Sequence, residues 1–346
     1  MSFLAADGPW LFSRRDDLLA FGGSSLLAFA LLGVGAALGI LESDAPDWIW
    51  IGCVLLVDVA HVWSTLYRVY LDGTEVRRRP LLYVGVPLVC YAAGVLVHAW
   101  DGRLFWTLLA YVAVFHFVRQ QAGWVALYDR RSTAPRLDRI LDRLAIYAST
   151  VAPIVWWHAN MPRRFHWFLE GDFVVLVPAW VGSVALAVEW TVVVAWLARQ
   201  AWRVSRGARP NPGKALVIVT TWACWYVGIV ALDGDFAFTV TNVLIHGIPY
   251  LWLTYRYGKH RAGSRVQRIL RGGVPVFLLS LALLAFVEEA AWDRWVWHER
   301  PWLFGTGREI DLSAKSLVVP LLILPQLVHY VLDGFVWRRR DNPQLA

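Results

Sequence analysis

Charged residues are scarce in this chain of 346 residues, because only 17% are Asp, Glu, Lys or Arg while 58% are hydrophobic. The mean hydropathy is +0.47. This composition excludes an ordinary soluble enzyme and indicates a polytopic membrane protein. Only three cysteines are present, and no two form a CxxC motif. Neither a disulfide framework nor a thiol redox motif is therefore expected.

The common metal-binding motifs are also missing. The chain contains no HExxH sequence, no pair of ExxH sequences and no clustered H-x-x-H-H boxes. These absences exclude an HExxH zinc peptidase, a ferritin-like di-iron protein and a desaturase of the histidine-box type. The net charge of +7 comes mainly from arginines between apolar runs. We interpret these arginines as topology signals rather than as a nucleic-acid-binding surface.

What the chain does have is long apolar runs, each near the roughly 20 residues that a membrane-spanning helix needs. Ten spans are predicted, near residues 18–41, 47–69, 80–99, 103–128, 138–157, 173–198, 214–233, 236–257, 270–290 and 315–337. The predicted fold class is therefore all-α: a polytopic membrane helical bundle of about ten helices. No soluble domain or long linker interrupts it, so residues 1–346 are predicted to form a single transmembrane domain.

The charges of the connecting segments alternate along the chain. The N-terminal segment, the second, fourth, sixth and eighth loops, and the C-terminal run Arg338–Arg340 are basic. The remaining loops are acidic or mixed. Because Lys and Arg concentrate on the cytoplasmic side, both termini are predicted to be cytoplasmic, in a multi-pass protein of a bacterial-type inner membrane. An arrangement of eight or nine spans would break this alternation.

Four of the apolar runs each carry one histidine near the middle: His61, His116, His246 and His329. All four fall in even-numbered spans, which run in the same direction. At about 1.5 Å per residue their depths agree within roughly 6 Å. Ionisable residues inside a span are costly and usually mark function. We therefore predict that the four imidazoles meet around one metal ion.

Each histidine has polar companions on its own helical face. These are Asp58, Gln120, Asn242, Tyr250 and Asp333, and Glu189 lies at a similar depth in the sixth span. A metal-bound histidine usually donates its second ring N–H to a carboxylate, a carbonyl or water. We therefore predict that Asp58 and Asp333 orient ligands, and that Glu189 or Tyr250 handles protons or the oxygenated intermediate.

Several uses of these groups are open at this point. Imidazoles suit Fe, Cu, Zn and Ni, and separated histidines with open positions favour a single non-haem Fe(II) that binds O₂. His61 and His116 as axial haem ligands are a second option. The rival from another class is a proton- or ion-coupled transporter, which a helix break at Gly247–Pro249 would favour. Interhelical hydrogen bonding by the histidines is the structural alternative.

The histidine runs resemble those of one known family in their order and approximate spacing. The runs are VAHVW around His61, VFHFV around His116, VLIHG around His246 and PQLVHYVLDGF around His329. They are similar to the four histidine motifs of the bacterial Brp/Blh family of membrane-bound β-carotene dioxygenases. Where that family's third motif carries a second histidine, this chain has Tyr250.

This resemblance implies an O₂-dependent, Fe(II)-containing oxidoreductase of the carotenoid dioxygenase type. The expected substrate is a carotenoid, an isoprenoid or another lipid, and the expected reaction is cleavage, hydroxylation or desaturation. The expected partners are this lipophilic substrate, O₂, the lipid bilayer and an electron-donor protein. No nucleic acid is expected.

Overall fold

Ten long helices follow one another along the chain. The structure, a computed structural model, describes residues 4–5, 8–175, 177–261, 264–338 and 342. Within them lie α1 (Arg14–Leu38), α2 (Asp47–Tyr70), α3 (Pro80–Trp100), α4 (Gly102–Tyr128), α5 (Arg136–Ala159), α6 (Ala179–Ser205), α7 (Pro212–Ala231), α8 (Asp235–His260), α9 (Arg265–Trp297) and α10 (Leu312–Val336). The described residues are helical without any β-strand, which confirms the all-α class.

Eight of these helices are long and apolar enough to cross a membrane, and α4 and α5 are the two less apolar ones. The prediction of a membrane protein is therefore confirmed. Each helix falls on one predicted span, but the start of the sixth was placed too early. α6 begins at Ala179 rather than at residue 173, because Pro178 precedes it with an extended backbone. Two short helices, Gly73–Arg78 and Pro301–Phe304, lie in loops.

Local sequence signals set several of the helix ends. The Ser13 hydroxyl caps α1 by accepting a hydrogen bond from the Asp16 N–H at 3.0 Å. Asp311 caps α10 in the same way through the Ala314 N–H at 2.7 Å. α1 ends at Gly39, whose φ of 72° is a left-handed conformation that favours glycine. Of the basic C-terminal run, Arg339 and Arg340 lie outside the described residues.

The described chain forms two compact units. The first unit comprises Val54–Ala113 and the described part of Tyr250–Pro343. The second unit comprises Val114–Pro249 and the described part of Ser2–Cys53. No observation bears on the prediction of a single transmembrane domain, which stays a prediction.

The first unit packs α3 against α10. The apolar core there consists of Val69, Tyr83, Val328, Leu332 and Val336. A Cβ atom on Gly94 of α3 would lie 3.1 Å from Pro320 of α10, so the two backbones approach closely at this glycine. Close approach at small residues is the usual way in which membrane helices gain packing energy, because lipid supplies no hydrophobic drive between them.

An Arg68 cluster closes one end of the first unit. The Arg68 side chain is 1% exposed and donates hydrogen bonds to the Val336 carbonyl at 2.6 Å and the Tyr257 hydroxyl at 3.1 Å. Its charge lies 3.4 Å from Glu75, which also accepts from the Tyr83 hydroxyl at 2.6 Å. Hydrogen bonds to both partners compensate in part for the cost of burying this ion pair.

The second unit packs α5 along α6, and α7 against α5. A Cβ atom on Gly182 of α6 would lie 2.8 Å from the Ala159 side chain and 3.3 Å from the Trp156 backbone of α5. Further along the same two helices, the Trp196 indole donates to Asp142 at 2.8 Å. These two contacts mark both ends of the α5–α6 interface.

An Asp142 cluster closes the charged end of that interface. Its members are Asp129, Asp138, Asp142, Arg199, Arg203 and Lys214. Asp138 is 0% exposed and accepts from Arg199 at 2.7 Å. Lys214 lies 2.7 Å from Asp129 and forms a second ion pair with Asp142. The two carboxylates near the start of α5, Asp138 and Asp142, are therefore both paired with cations within the second unit.

Candidate metal centre

Two of the predicted histidine ligands directly follow wide helical turns. α2 forms π-helical turns over Trp50–Val59 and returns to α-helix over Ala60–Trp63, which contains His61. α8 does the same over Thr239–Val243, just before His246. An extra residue in a turn changes the direction of the side chains that follow, and such turns are frequent at functional sites.

His61 and His329 form a buried pair in the first unit. Their side chains are 1% and 0% exposed, and their ring centroids lie 4.9 Å apart in an edge-to-face arrangement. One ring nitrogen of His61 lies within 4.8 Å of one of His329. Two imidazole nitrogens that bind one ion at about 2.0–2.1 Å each are at most about 4 Å apart. The two rings are therefore close enough for both to be candidate ligands of one ion.

The second ring nitrogen of each member of the pair faces an oxygen. His329 Nδ1 lies 2.8 Å from the Thr65 hydroxyl, and His61 Nδ1 lies 3.5 Å from the Asp58 carboxylate. Both contacts use Nδ1, so Nε2 is the nitrogen that each ring offers to a metal. Contacts of this kind fix the ring orientation and the tautomer of metal-bound histidines.

Tyr250 lies beside this pair. Its side chain is 1% exposed, and its ring centroid is 5.0 Å from that of His329 and 5.8 Å from that of His61. The Trp337 indole donates to the Tyr250 hydroxyl at 3.2 Å, and both side chains hydrogen-bond the Asp333 carboxylate. Asp333 follows His329 by four residues on α10. Its carboxylate is linked to the histidine pair by the Tyr250 side chain.

Two polar side chains that the sequence analysis did not connect with the centre also lie on this part of the first unit. Thr65 follows His61 by one helical turn, but its partner His329 is far away in sequence, so no spacing rule could find the contact. Glu288, 5% exposed, accepts from the Trp63 indole at 2.6 Å. The only sequence feature that could have pointed to Glu288 is its position, as a carboxyl group near the end of a predicted span.

The second unit contains a second buried histidine pair. His116 and His246 are 3% and 0% exposed, and their ring centroids lie 5.0 Å apart. Phe117 stacks on His246 with the ring centroids 3.7 Å apart and the planes 5° from parallel. The Gln120 amide donates to the His246 carbonyl at 2.8 Å, which holds α4 and α8 together at this level.

Further aromatic rings pack against Phe117 and against one another. Trp167 packs edge-on against Phe117 at 5.0 Å, and Phe165 stacks on Phe238 at 3.9 Å. Trp157 packs against Phe165 at 5.2 Å. Two of these rings, Phe165 and Trp167, come from the segment between α5 and α6, so that segment packs against Phe117 and Phe238.

Glu189 is also buried, but it takes no part in the contacts of the second histidine pair. It is 0% exposed, and neither carboxylate oxygen has a hydrogen-bond partner within the described residues. It is therefore not hydrogen-bonded to His116 or His246, and its predicted role at the centre stays a prediction. The predicted site residues thus fall in the first unit (Asp58, His61, Tyr250, His329 and Asp333) and in the second (His116, Glu189 and His246).

The helix break that would favour a transporter is absent. α8 is continuously helical from Leu244 to His260, with Pro249 inside it. Proline removes one backbone hydrogen bond, but neighbouring helices can compensate for this loss within a membrane bundle. The suggestion that Gly247–Pro249 breaks this helix was therefore wrong.

The side chains present fit a transition metal bound through nitrogen. Buried imidazoles suit Fe, Cu, Zn and Ni, whereas Mg²⁺ and Ca²⁺ prefer oxygen ligands. Both Nδ1 atoms of the first pair already face an oxygen, the arrangement usual for histidines that bind a metal through Nε2. Comparison with family models, with curated proteins and with solved structures finds no match for this chain.

Proposed function

We propose that this protein is a membrane-embedded, histidine-ligated non-haem iron oxygenase that acts on a lipophilic substrate. His61, His116, His246 and His329 hold Fe(II). The observation that carries this proposal is the buried His61–His329 pair, with an oxygen at each Nδ1 and Tyr250 and Asp333 beside it. A histidine used only as an interhelical hydrogen-bond donor does not need a second imidazole at this distance.

The roles of the neighbouring side chains follow from their contacts. Thr65 and Asp58 orient the two imidazoles of the first pair, so that each Nε2 remains directed to the metal. Bound Fe(II) supplies the capacity to bind and activate O₂. Tyr250 and Asp333, which share a hydrogen bond, can hold and exchange a proton next to the reacting centre. Burial of all four imidazoles keeps water away from it.

The surroundings favour an apolar substrate that enters from the bilayer. The helices expose large apolar side chains, and Phe117, which stacks on His246, packs in turn against Trp167. We propose a carotenoid, isoprenoid or other lipid as the substrate, with cleavage, hydroxylation or desaturation as the reaction. An electron-donor protein would act at the cytoplasmic surface of a bacterial-type inner membrane.

Contacts between loops support ten spans rather than eight. In the second unit Arg130 donates to the Ala5 carbonyl at 2.8 Å, so the ends of the α1–α4 stretch lie on the same side. An even number of crossings would connect two ends on one side, so crossings by the candidate spans α1, α2 and α3 favour a fourth crossing by α4. Asp129, before α5, lies 2.7 Å from Lys214, after α6. If α6 crosses the membrane, this ion pair favours a crossing by α5 as well.

The metal content of detergent-purified protein tests this function. After anaerobic loading with Fe(II) and removal of unbound metal, we expect near-stoichiometric iron in the wild type and its loss in His329→Ala. His260→Ala is the matched control, because His260 is exposed at the end of α8 and its ring contacts the carbonyl of its own helix at 2.8 Å. Absence of Fe, Cu, Mn and Zn from the loaded wild type would overturn the proposal.

A further inference from the structure

Glu189 is a fully buried carboxyl group in the middle of a spanning helix. It is the eleventh residue of α6, about 15 Å along the helix from Ala179 at 1.5 Å per residue. The hydrocarbon core of a bilayer is about 30 Å thick, so this position is near its middle. The side chain is 0% exposed, and neither oxygen has a hydrogen-bond partner within the described residues.

The contacts on either side of Glu189 show which surface it faces. The buried residues of α6 are Gly182, Glu189, Val193 and Trp196, which recur at helical spacing along one stripe. Gly182 approaches Ala159 of α5, and Trp196 bonds to Asp142 of α5. Glu189 lies between these two contact points, about 10 Å from each along the helix axis. It is therefore buried in the middle of the α5–α6 interface.

The polar groups of α5 in that interval are already engaged. The Ser149 hydroxyl donates to the Ala145 carbonyl at 2.8 Å, and the Thr150 hydroxyl donates to the Ile146 carbonyl at 3.0 Å. Neither hydroxyl proton is free for the Glu189 carboxyl group.

The charged groups of the interface also have other partners. Asp138 and Asp142 pair with Arg199, Arg203 and Lys214 at the end of the interface. His158, at the opposite end, faces the carbonyl of its own helix at 2.7 Å. No cation of the interface pairs with Glu189 within the described residues.

If Glu189 were ionised, no cation or hydrogen-bond donor among the described residues would offset the cost of burying its charge. Burying an unpaired charge costs so much that the group normally takes up a proton instead. A metal cation is not a substitute, because Ca²⁺ needs six to eight oxygen ligands and Mg²⁺ needs an octahedron of them. One carboxyl group among engaged hydroxyls does not supply these ligands.

We propose that Glu189 is a proton-binding site of the membrane-spanning bundle, separate from the histidines. Its ligand is a single proton, bound as a neutral carboxylic acid at neutral pH. The inference does not rest on the proposed oxygenase, because it uses only the burial and the contacts of α5 and α6. It gives the protein a buried proton carrier even if no metal binds to the histidines.

Infrared difference spectroscopy of the full-length protein in lipid tests this proposal. At neutral pH we expect the wild type to show the carbonyl stretch of a protonated carboxyl group, and Glu189→Gln to lose it. Glu170→Gln is the matched control, because Glu170 is exposed in the segment before α6 and should leave the band unchanged. Identical spectra for the wild type and Glu189→Gln would overturn the proposal.

A reaction on the wild type decides the question if Glu189→Gln does not yield folded protein. A hydrophobic carbodiimide reacts with a protonated carboxyl group in an apolar setting. The carboxyl oxygen bonds to the central carbon of the reagent, the acid proton moves to one of its nitrogens, and no group leaves. Mass spectrometry should find the mass of one reagent added at Glu189. An unmodified Glu189 after labelling of the folded protein would refute the inference.

Discussion

Thr65 shows how one hydroxyl can set the chemistry of a buried imidazole. Its oxygen lies 2.8 Å from His329 Nδ1, and both side chains are buried. The contact orients the ring, and when Nδ1–H donates to the hydroxyl, Nε2 is left for a ligand. Asp58 lies farther from His61, with its carboxylate 3.5 Å from Nδ1, and therefore holds that ring less firmly. We therefore expect Thr65 to have the larger influence on metal binding.

Replacing Thr65 by Val should weaken Fe(II) binding without loss of the fold. Valine keeps the shape of threonine but removes the hydroxyl, so the His329 ring loses its orienting contact. Changes of this kind typically lower metal affinity by roughly 10–100-fold. Competitive titration with a chelator measures the effect. Thr254→Val is the control, because Thr254 is equally buried in the first unit but contacts Ser64. Equal affinities for the two variants would contradict the assigned role of Thr65.

Sequence spacing could predict contacts within a helix but not contacts between helices. Asp58 was found because it precedes His61 by one turn of the same helix. The Thr65–His329 contact joins residues 264 positions apart, so only the packing of α2 with α10 reveals it. The burial of Glu189 could be predicted from its position in an apolar span. That its neighbours Ser149 and Thr150 are already engaged could not.

The helices themselves were largely predictable, because an apolar run of about 20 residues that crosses a membrane has to form a helix to satisfy its backbone hydrogen bonds. The errors have local causes. The sixth span was placed too early because residues 173–175 are apolar, and Pro178 delays the helix. A break was suggested at Pro249 because proline usually ends helices in water, whereas α8 continues through it. Apolarity alone does not distinguish an extended segment from a helix.

An ion pair between Glu75 and Arg68 holds the short helix Gly73–Arg78 against the bundle. Burial alone would raise the pKa of Glu75, but the Arg68 charge, the Tyr83 hydroxyl and Arg78 hold that pKa below its usual value. A lowered pKa in the folded state means that the ionised group stabilises the fold. This stabilisation is complete above the unfolded-state pKa and is lost as the pH falls through the folded-state pKa.

Glu75→Gln should therefore destabilise the protein at neutral pH by about 3 kcal/mol, because it leaves the buried Arg68 without its counter-charge. The difference from the wild type should shrink as the pH falls, since acid protonates Glu75 in the wild type as well. Unfolding in detergent micelles at several pH values measures both effects. Glu170→Gln, at an exposed position, should match the wild type throughout. A destabilisation of Glu75→Gln that does not change with pH would show that the charge is not its source.

Loops predicted to share a side of the membrane do meet within each unit. In the second unit Arg164 lies 3.6 Å from Glu42, and Arg163 lies 3.1 Å from Asp233, which joins the first, fifth and seventh loops. In the first unit Arg261 lies 2.5 Å from Asp72, which joins the second and eighth loops. The charge alternation in the sequence predicts these groupings. It could not predict which individual charges pair.

The loop between α4 and α5 decides between ten and eight spans. If both helices cross the membrane, Thr133 is cytoplasmic. If neither crosses, Thr133 is outside with Asp44 and Glu170, while every other loop keeps its side. A variant with serines at Cys53, Cys90 and Cys224 allows single cysteines to be placed at these exposed positions. In intact cells we expect an impermeant maleimide to label Asp44→Cys and Glu170→Cys. Thr133→Cys and Arg206→Cys should react only after permeabilisation, and labelling of Thr133→Cys from outside would exclude ten spans.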